Sequence, residues 1–188
     1  MQVREFGPRW QAKVSALAEK VLGKGFFENP SRIAREPGSC VFVCITKDEE
    51  VAGFVCGKLL PKGGLQDFLE HRVPDMPQDL VEADARGVLG VIQTVAVAPE
   101  HQGKGIGTKL LRIAHDAIIG HGADKLIVTF KRGPTSAHVG RLMERQGFEF
   151  WLKLETFWKT RCDLGDFVCV DRGEACTCEA VFYRKRVF

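Results

Sequence analysis

Three glycines at alternate positions, Gly103, Gly105 and Gly107, fall in the run Gln102-Gly103-Lys104-Gly105-Ile106-Gly107-Thr108. Ahead of them an alternating stretch puts Val91, Gln93, Val95 and Val97 on one face of an expected strand that stops at Pro99. Behind them an amphipathic helix begins. A strand feeding a glycine-rich turn that opens a helix is an arrangement suited to phosphate. The first helical N–H groups lack intrahelical partners, the aligned peptide dipoles place partial positive charge there, and glycine admits an anion close to the backbone. Lys104 and Lys109 add mobile cations beside those amides. Two familiar phosphate loops do not fit. A Walker A loop needs G-x-x-x-x-G-K-[ST], and the dinucleotide fingerprint G-x-G-x-x-G would require glycine where Thr108 stands.

Other chemistry-bearing residues are fewer and each has an ordinary reading. His101 precedes the loop glutamine and reads as a solvated loop histidine; His138, at the opening turn of a later helix, reads as an exposed helix-end residue. The single tyrosine, Tyr183, lies on the last expected strand, where half-buried rings usually pack. The longest irregular stretch is Pro61–Arg86, and within it Gln66–Asp84 carries Asp67, Glu70, Asp75, Asp79, Glu82 and Asp84 against one base, Arg72. It reads either as a solvated loop with one short helix at Leu65–His71 or as an acidic lid that attracts a cation and supplies a carboxylate base.

Cys162, Cys169, Cys176 and Cys178 crowd the C-terminal region, and four sulfurs invite a tetrahedral zinc site. Their spacing lacks the C-x2-C knuckles that mark such sites, so they read as small strand hydrophobes and no metal is assigned. The aromatic run Phe148, Phe150, Trp151, Phe157 and Trp158 reads as core or as a homodimer surface.

The elements that must position these residues follow from periodicity. Trp10, Val14, Leu17, Ala18, Val21 and Leu22 mark one face of a helix that Gly23 and Gly25 end. A short strand at Met1–Glu5 precedes it, and a short helix begins at Asn29-Pro30-Ser31 and ends before Pro37. Strands are expected at Cys40–Ile45, Val51–Leu59, Gly87–Val97, Lys125–Phe130, Phe148–Trp158 and Glu179–Val187. The helix after the glycine loop buries Ile106, Leu110, Ile113, Ala114, Ala117 and Ile118, and another spans Ala137–Gln146 with Gly147 at its C′ position. The chain of 188 residues fits a single domain with 45% hydrophobic and 27% charged residues, ordinary for a globular protein. A net charge of +3 without a basic tract, beyond the tip Arg184-Lys185-Arg186, argues against nucleic acid as the main partner. No apolar run reaches membrane-spanning length and no signal-peptide core opens the chain, so a cytoplasmic protein with seven reduced cysteines is expected.

The run Q-x-x-G-x-G at Gln102–Gly107, with its preceding strand and proline and its following helix, resembles the coenzyme A pyrophosphate loop of the GNAT superfamily of N-acyltransferases. The order of elements is similar from end to end, and Gly147-Phe148 resembles the family's closing Gly-Phe pair. The resemblance implies an α/β (α+β) fold with a mixed, mostly antiparallel sheet, splayed between two central parallel strands and flanked by helices. It implies acetyl-CoA as co-substrate, backbone contacts to pantetheine from Val95, Ala96 and Val97, and pyrophosphate contacts from Gln102, Gly103, Lys104, Gly105, Ile106, Gly107 and Thr108. The implied activity is transfer of an acetyl or other short acyl group to a primary amine on a small molecule or peptide, a cationic one if the acidic segment borders the site.

Four positions depart from the family's pattern. Met143 stands where a tyrosine often protonates the thiolate, Ser136 where an asparagine is common, and Val91 and Gln93 where glutamates accept protons. Catalytic residues are therefore unassigned, and a catalytically silent acyl-CoA-binding sensor or scaffold is the alternative.

Overall fold

The computed structural model describes residues 1–27, 29–132, 139–171, 173 and 176–187. Its elements in chain order are β1 (Gln2–Glu5), α1 (Gln11–Val21), β2 (Gly23–Lys24), α2 (Pro30–Ile33), β3 (Ser39–Ile45) and β4 (Val51–Leu59). Then come α3 (Leu65–Phe68), α4 (Gln78–Arg86), β5 (Leu89–Val97), α5 (Ile106–Gly120) and β6 (Lys125–Arg132). The chain closes with α6 (Val139–Arg145), β7 (Glu149–Leu154), α7 (Lys159–Asp163), β8 (Val168–Cys169) and β9 (Glu179–Arg186).

Among the described residues, seven strands form one sheet in the order β1-β3-β4-β5-β6-β9-β7, with β5 and β6 parallel and the remaining neighbours antiparallel. A parallel pair needs a crossover, and α5 supplies it. The stripe Ile106, Leu110, Leu111, Ala114 and Ile118 packs on one face of the sheet with Val55, Ile92, Leu126 and Val128. On the other face, α1 brings Val14, Leu17 and Ala18 against Val41, Val43 and Phe54, and α4 brings Leu80 and Ala83 against Leu89, Val91 and Ile127.

Several expectations change. The segment before β5 is not one irregular loop with a helix at Leu65–His71. It holds α3 and then α4, whose buried Leu80, Ala83 and Asp84 form an inner face. The signals for α4 are local: Pro77 at its start and Gly87, at φ +74° in the left-handed region, at its end. The strand expected over Phe148–Trp158 stops at Leu154, and α7 follows a turn at residues 155–158. At the end of α1, Gly23 has φ +120°, and a Cβ there would stand 2.0 Å from the Val168 carbonyl oxygen. Only glycine permits β2 to pair with β8 at that distance. Of the helix expected at Ala137–Gln146, the described part is α6; Ser136 and His138 lie outside the described residues. No described helix is long and apolar enough to cross a membrane.

Candidate functional site

β5 and β6 pair from Leu89↔Lys125 to Ile92↔Val128 and then part, although β5 continues through Val97 and β6 through Arg132. The cause is on the other side of β5. Against β4, Gly57 pairs with Ile92 but Cys56 pairs with Thr94, so Gln93 is an extra residue in β5. A bulge of this kind bends its strand and adds twist, turning the end of β5 away from its parallel neighbour. The extra residue also reverses the alternation. Val91 packs with α4 on one face, whereas Val95 and Val97 pack with the α5 cluster on the other. The expectation that Val91 shares a face with Val95 and Val97 is therefore corrected, because the bulge interrupts the two-residue period.

The fork opens main-chain groups. Ala98 donates its N–H to the Ala52 carbonyl, and the register Ala96↔Phe54 continues that ladder. Antiparallel hydrogen bonding alternates, so Ala96 turns its peptide groups toward β4 while Val95 and Val97 turn theirs into the gap. Ala96 is 2% exposed and forms the floor. Gln102 ties the loop to this strand end, its Nε2 donating to the Val97 carbonyl at 3.2 Å.

The glycine loop sits at the same end. Gly105 is the N-cap of α5 at φ +75°, no side chain caps the helix, and a Cβ at Gly103 or Gly105 would meet nothing within 4 Å. Open space before an uncapped helix of this length leaves its first amides directed outward. Ile106 is buried and anchors the turn beneath. At Gly107 a Cβ would lie 3.7 Å from Val97 Cγ2, so the start of α5 rests on the end of β5. Thr108 is half-buried in the first turn of α5. Lys104 reaches back to the Glu100 carbonyl at 2.9 Å, and Lys20 pairs with Glu100 at 3.2 Å, placing cations at the rim.

The catalytic candidates separate. Met143 is 2% exposed and packs in the α5 cluster. Tyr183 pairs in register with Val128, the β6 residue at which the fork begins, and shares its sheet face. Its ring stacks on Phe130, and its hydroxyl lies close enough to Gly140 that a Cβ there would stand 2.8 Å away. Desolvation, and then the charge of Glu144, push its pKa up against the opposing effect of Arg132. His101 is not simply solvated: its Nδ1 is enclosed without a hydrogen-bond partner among the described residues. On the face opposite α5 the Thr129 hydroxyl is likewise enclosed and without a partner, and Thr94 is buried.

The acidic residues before β5 do not act as one group. Asp84 accepts the Leu65 N–H at 3.1 Å and so braces α3 against α4; desolvation raises its pKa, with the main-chain hydrogen bonds opposing. Asp67 pairs with His71 at 3.0 Å. Asp79 lies between Lys125 at 3.0 Å and Arg184 at 3.2 Å, in a cleft that also involves Gly147 and Lys185. That cleft stands where β6 begins, at the opposite end of the parallel pair from the glycine loop. Desolvation works against ionisation of Asp79, but the hydrogen bond from Lys125 and the two positive charges outweigh it and hold the pKa down. A depressed folded pKa gives stability that is present above the unfolded value, about 3.9, and lost as pH falls through the folded one. Asp79→Asn should therefore flatten the acid limb of a plot of Tm against pH below about pH 4. An acid slope unchanged from the parent would contradict the pairing.

The acetyltransferase (GNAT) family model matches residues 4–148. The chain belongs to the GNAT family. Members generally use acetyl-CoA as co-substrate and acetylate amines, so N-acetyltransferase chemistry is the general activity of the group to which this GNAT chain belongs. Solved structures agree in fold. The Streptococcus mutans protein smu.2055 superposes with a TM-score of 0.64 at 12% identity, over 100% of each chain. The Escherichia coli ribosomal-protein-S18-alanine N-acetyltransferase gives 0.64 at 13% identity, over 99% of this chain and 93% of that one. The ribosomal-protein-alanine N-acetyltransferase of Brucella melitensis gives 0.62 at 17% identity, over 99% of both. No curated protein matches the sequence. The mixed, mostly antiparallel sheet with one parallel pair and flanking helices is the fold expected from the resemblance.

Proposed function

We propose that this chain, as one unit over residues 1–188, transfers an acetyl or other short acyl group from acetyl-CoA to a primary amine. The observation that carries this reading is the fork between β5 and β6 with an uncapped α5 N-terminus beside it. The pyrophosphate binds the amides of Gln102 through Thr108, and Lys104 balances its charge. Pantetheine runs along the outward peptide groups of Val95 and Val97 above Ala96, taking the place of a missing strand. The thioester then lies further along the fork toward the bulge, where an outward-facing main-chain N–H of β5 polarises its carbonyl as the tetrahedral oxyanion forms.

The amine approaches from the face opposite α5, past Thr94 and Thr129, and is held in line with the thioester, which supplies much of the rate enhancement. The acceptor is a small molecule or peptide, cationic where the exposed carboxylates Glu70, Asp75 and Glu82 border its path to the thioester. The amine loses its proton to water or enters neutral. The cysteines suit the reducing cytoplasm, where no disulfide joins any of the seven.

The buried Met143 favours a second reading, an acyl-CoA binder without turnover. Release of coenzyme A thiol from acetyl-CoA is the deciding measurement, run against small amines, polyamines and alanine-initiated peptides. Amine-dependent release with at least one acceptor is expected. Tight acetyl-CoA binding without release for any of them would replace the transferase by the binder.

A further inference from the structure

Four cysteines far from the glycine loop come together in the C-terminal segment. Cys162 lies on α7, Cys169 on β8, and Cys176 and Cys178 on the strip that leads into β9. All four are buried. The sulfurs of Cys169, Cys176 and Cys178 lie within 4.8 Å of one another, Cys169 and Cys178 being 3.7 Å apart, and the Cys162 thiol is hydrogen-bonded to Cys176. All four pack in one apolar cluster, as small hydrophobes would, but the chain also brings three of their sulfurs together with the Cys162 thiol beside them, which linear spacing could not reveal.

We propose that Cys162, Cys169, Cys176 and Cys178 bind one structural zinc ion. Zinc bonds to thiolate at about 2.3 Å in a tetrahedron, which sets sulfur–sulfur edges of about 3.8 Å. The 3.7 Å edge already has that length. A disulfide would need the sulfurs at about 2.0 Å. Four protein sulfurs close the coordination sphere, as in structural rather than catalytic sites. Soft thiolates with tetrahedral geometry select zinc over hard cations.

The surroundings fit a thiolate cluster. Lys131 Nζ stands 3.3 Å from Cys169 Sγ and 2.6 Å from an Asp171 carboxylate oxygen, with its side chain only 10% exposed. An ammonium that donates to a ligand sulfur offsets the excess negative charge of four thiolates on one zinc. Zinc binding displaces the thiol protons, four per ion, and acid returns them.

The ion has a structural task. The described part of residues 159–178 has only the five residues of α7 and the two of β8 as regular structure. Yet it carries Phe167, which packs edge-on to Phe26 with centroids 5.5 Å apart and contacts Trp158 at 6.5 Å. The zinc cross-link would hold this weakly paired segment against β9 and against the turn after β2.

The test uses the full chain purified without chelator. Elemental analysis should find one zinc per chain, and titration with an organomercurial should release it as the four thiols react. Cobalt exchanged for zinc should give the visible absorption of a tetrahedral thiolate complex. Cys176→Ser should lose the metal, whereas Cys40→Ser, whose side chain lies in a different cluster, should keep it. If Cys176→Ser does not fold, the mercurial titration and the cobalt spectrum of the parent decide the matter. Absence of stoichiometric metal with no zinc or cobalt uptake overturns the proposal. So does iron in place of zinc, a disulfide within the cluster, or full metal retention in a folded Cys176→Ser.

Discussion

Gly105→Glu should lose coenzyme A affinity by at least about 100-fold while the chain stays folded. Gly105 caps α5 at φ +75°, and a side chain there would meet nothing within 4 Å. The added carboxylate thus enters the space before the first helical amides, where the proposed pyrophosphate lies. Like charges brought together in a binding site cost several kcal/mol, and each 1.4 kcal/mol is about tenfold in affinity. The backbone adds a separate effect, because a Cβ in the left-handed region costs about 1–2 kcal/mol. Gly105→Ala carries that strain without the charge, so it separates the two effects. Calorimetry should find the alanine variant weakened far less than the glutamate variant, with both giving a cooperative thermal transition. Parental affinity in a folded Gly105→Glu would remove the pyrophosphate assignment.

The second large effect concerns the wall on the far side of the fork. Phe182 on β9 is fully buried, between Thr129 of β6 and Leu152 of β7 in register. Its ring lies 5.6 Å from Phe157, 6.2 Å from Trp151 and 6.3 Å from Phe68, which joins β9 to α3 and to the turn before α7. Truncating a buried phenylalanine removes its transfer free energy and leaves a cavity, about 3–5 kcal/mol together. Against a total stability of about 5–15 kcal/mol, that is a large share. Phe182→Ala should lower Tm by on the order of ten degrees for a chain of this size. Leu164→Ala, 72% exposed, is the control and should change stability by no more than about 0.5 kcal/mol. Equal Tm values for the two variants would show that the aromatic cluster does not hold β9 in place.

The glycine loop was legible because its information is local. Gln102, the glycines and Ile106 lie within two turns of chain, and the flanking strand and helix follow from adjacent periodicity. Most of the stripe of α5 was legible for the same reason: Ile106, Leu110, Ala114 and Ile118 are buried as read, whereas Leu111 is buried in addition and Ile113 and Ala117 are half-buried. Pro77 and Gly87 bracketed α4 just as plainly, but its short apolar face, Leu80 with Ala83, was outweighed by the acidic residues around it. Acidic side chains on a short amphipathic helix resemble a solvated loop until the packing partner is known.

By itself the sequence determined the long strands β3, β4, β5, β6 and β9, the helices α1 and α5, and the glycine turn that opens α5, since each depends on residues within a few positions. Only the tertiary structure decided the bulge at Gln93, which sends Val91 to one face and Val95 and Val97 to the other and starts the fork. A bulge depends on the register with a neighbouring strand, which β4 sets from far along the chain. The tertiary structure alone also seated β9 between β6 and β7 and drew the sulfurs of Cys169, Cys176 and Cys178 together, with Cys162 beside them. Contacts between residues distant in sequence leave no period behind them, so folding the chain is what discloses them.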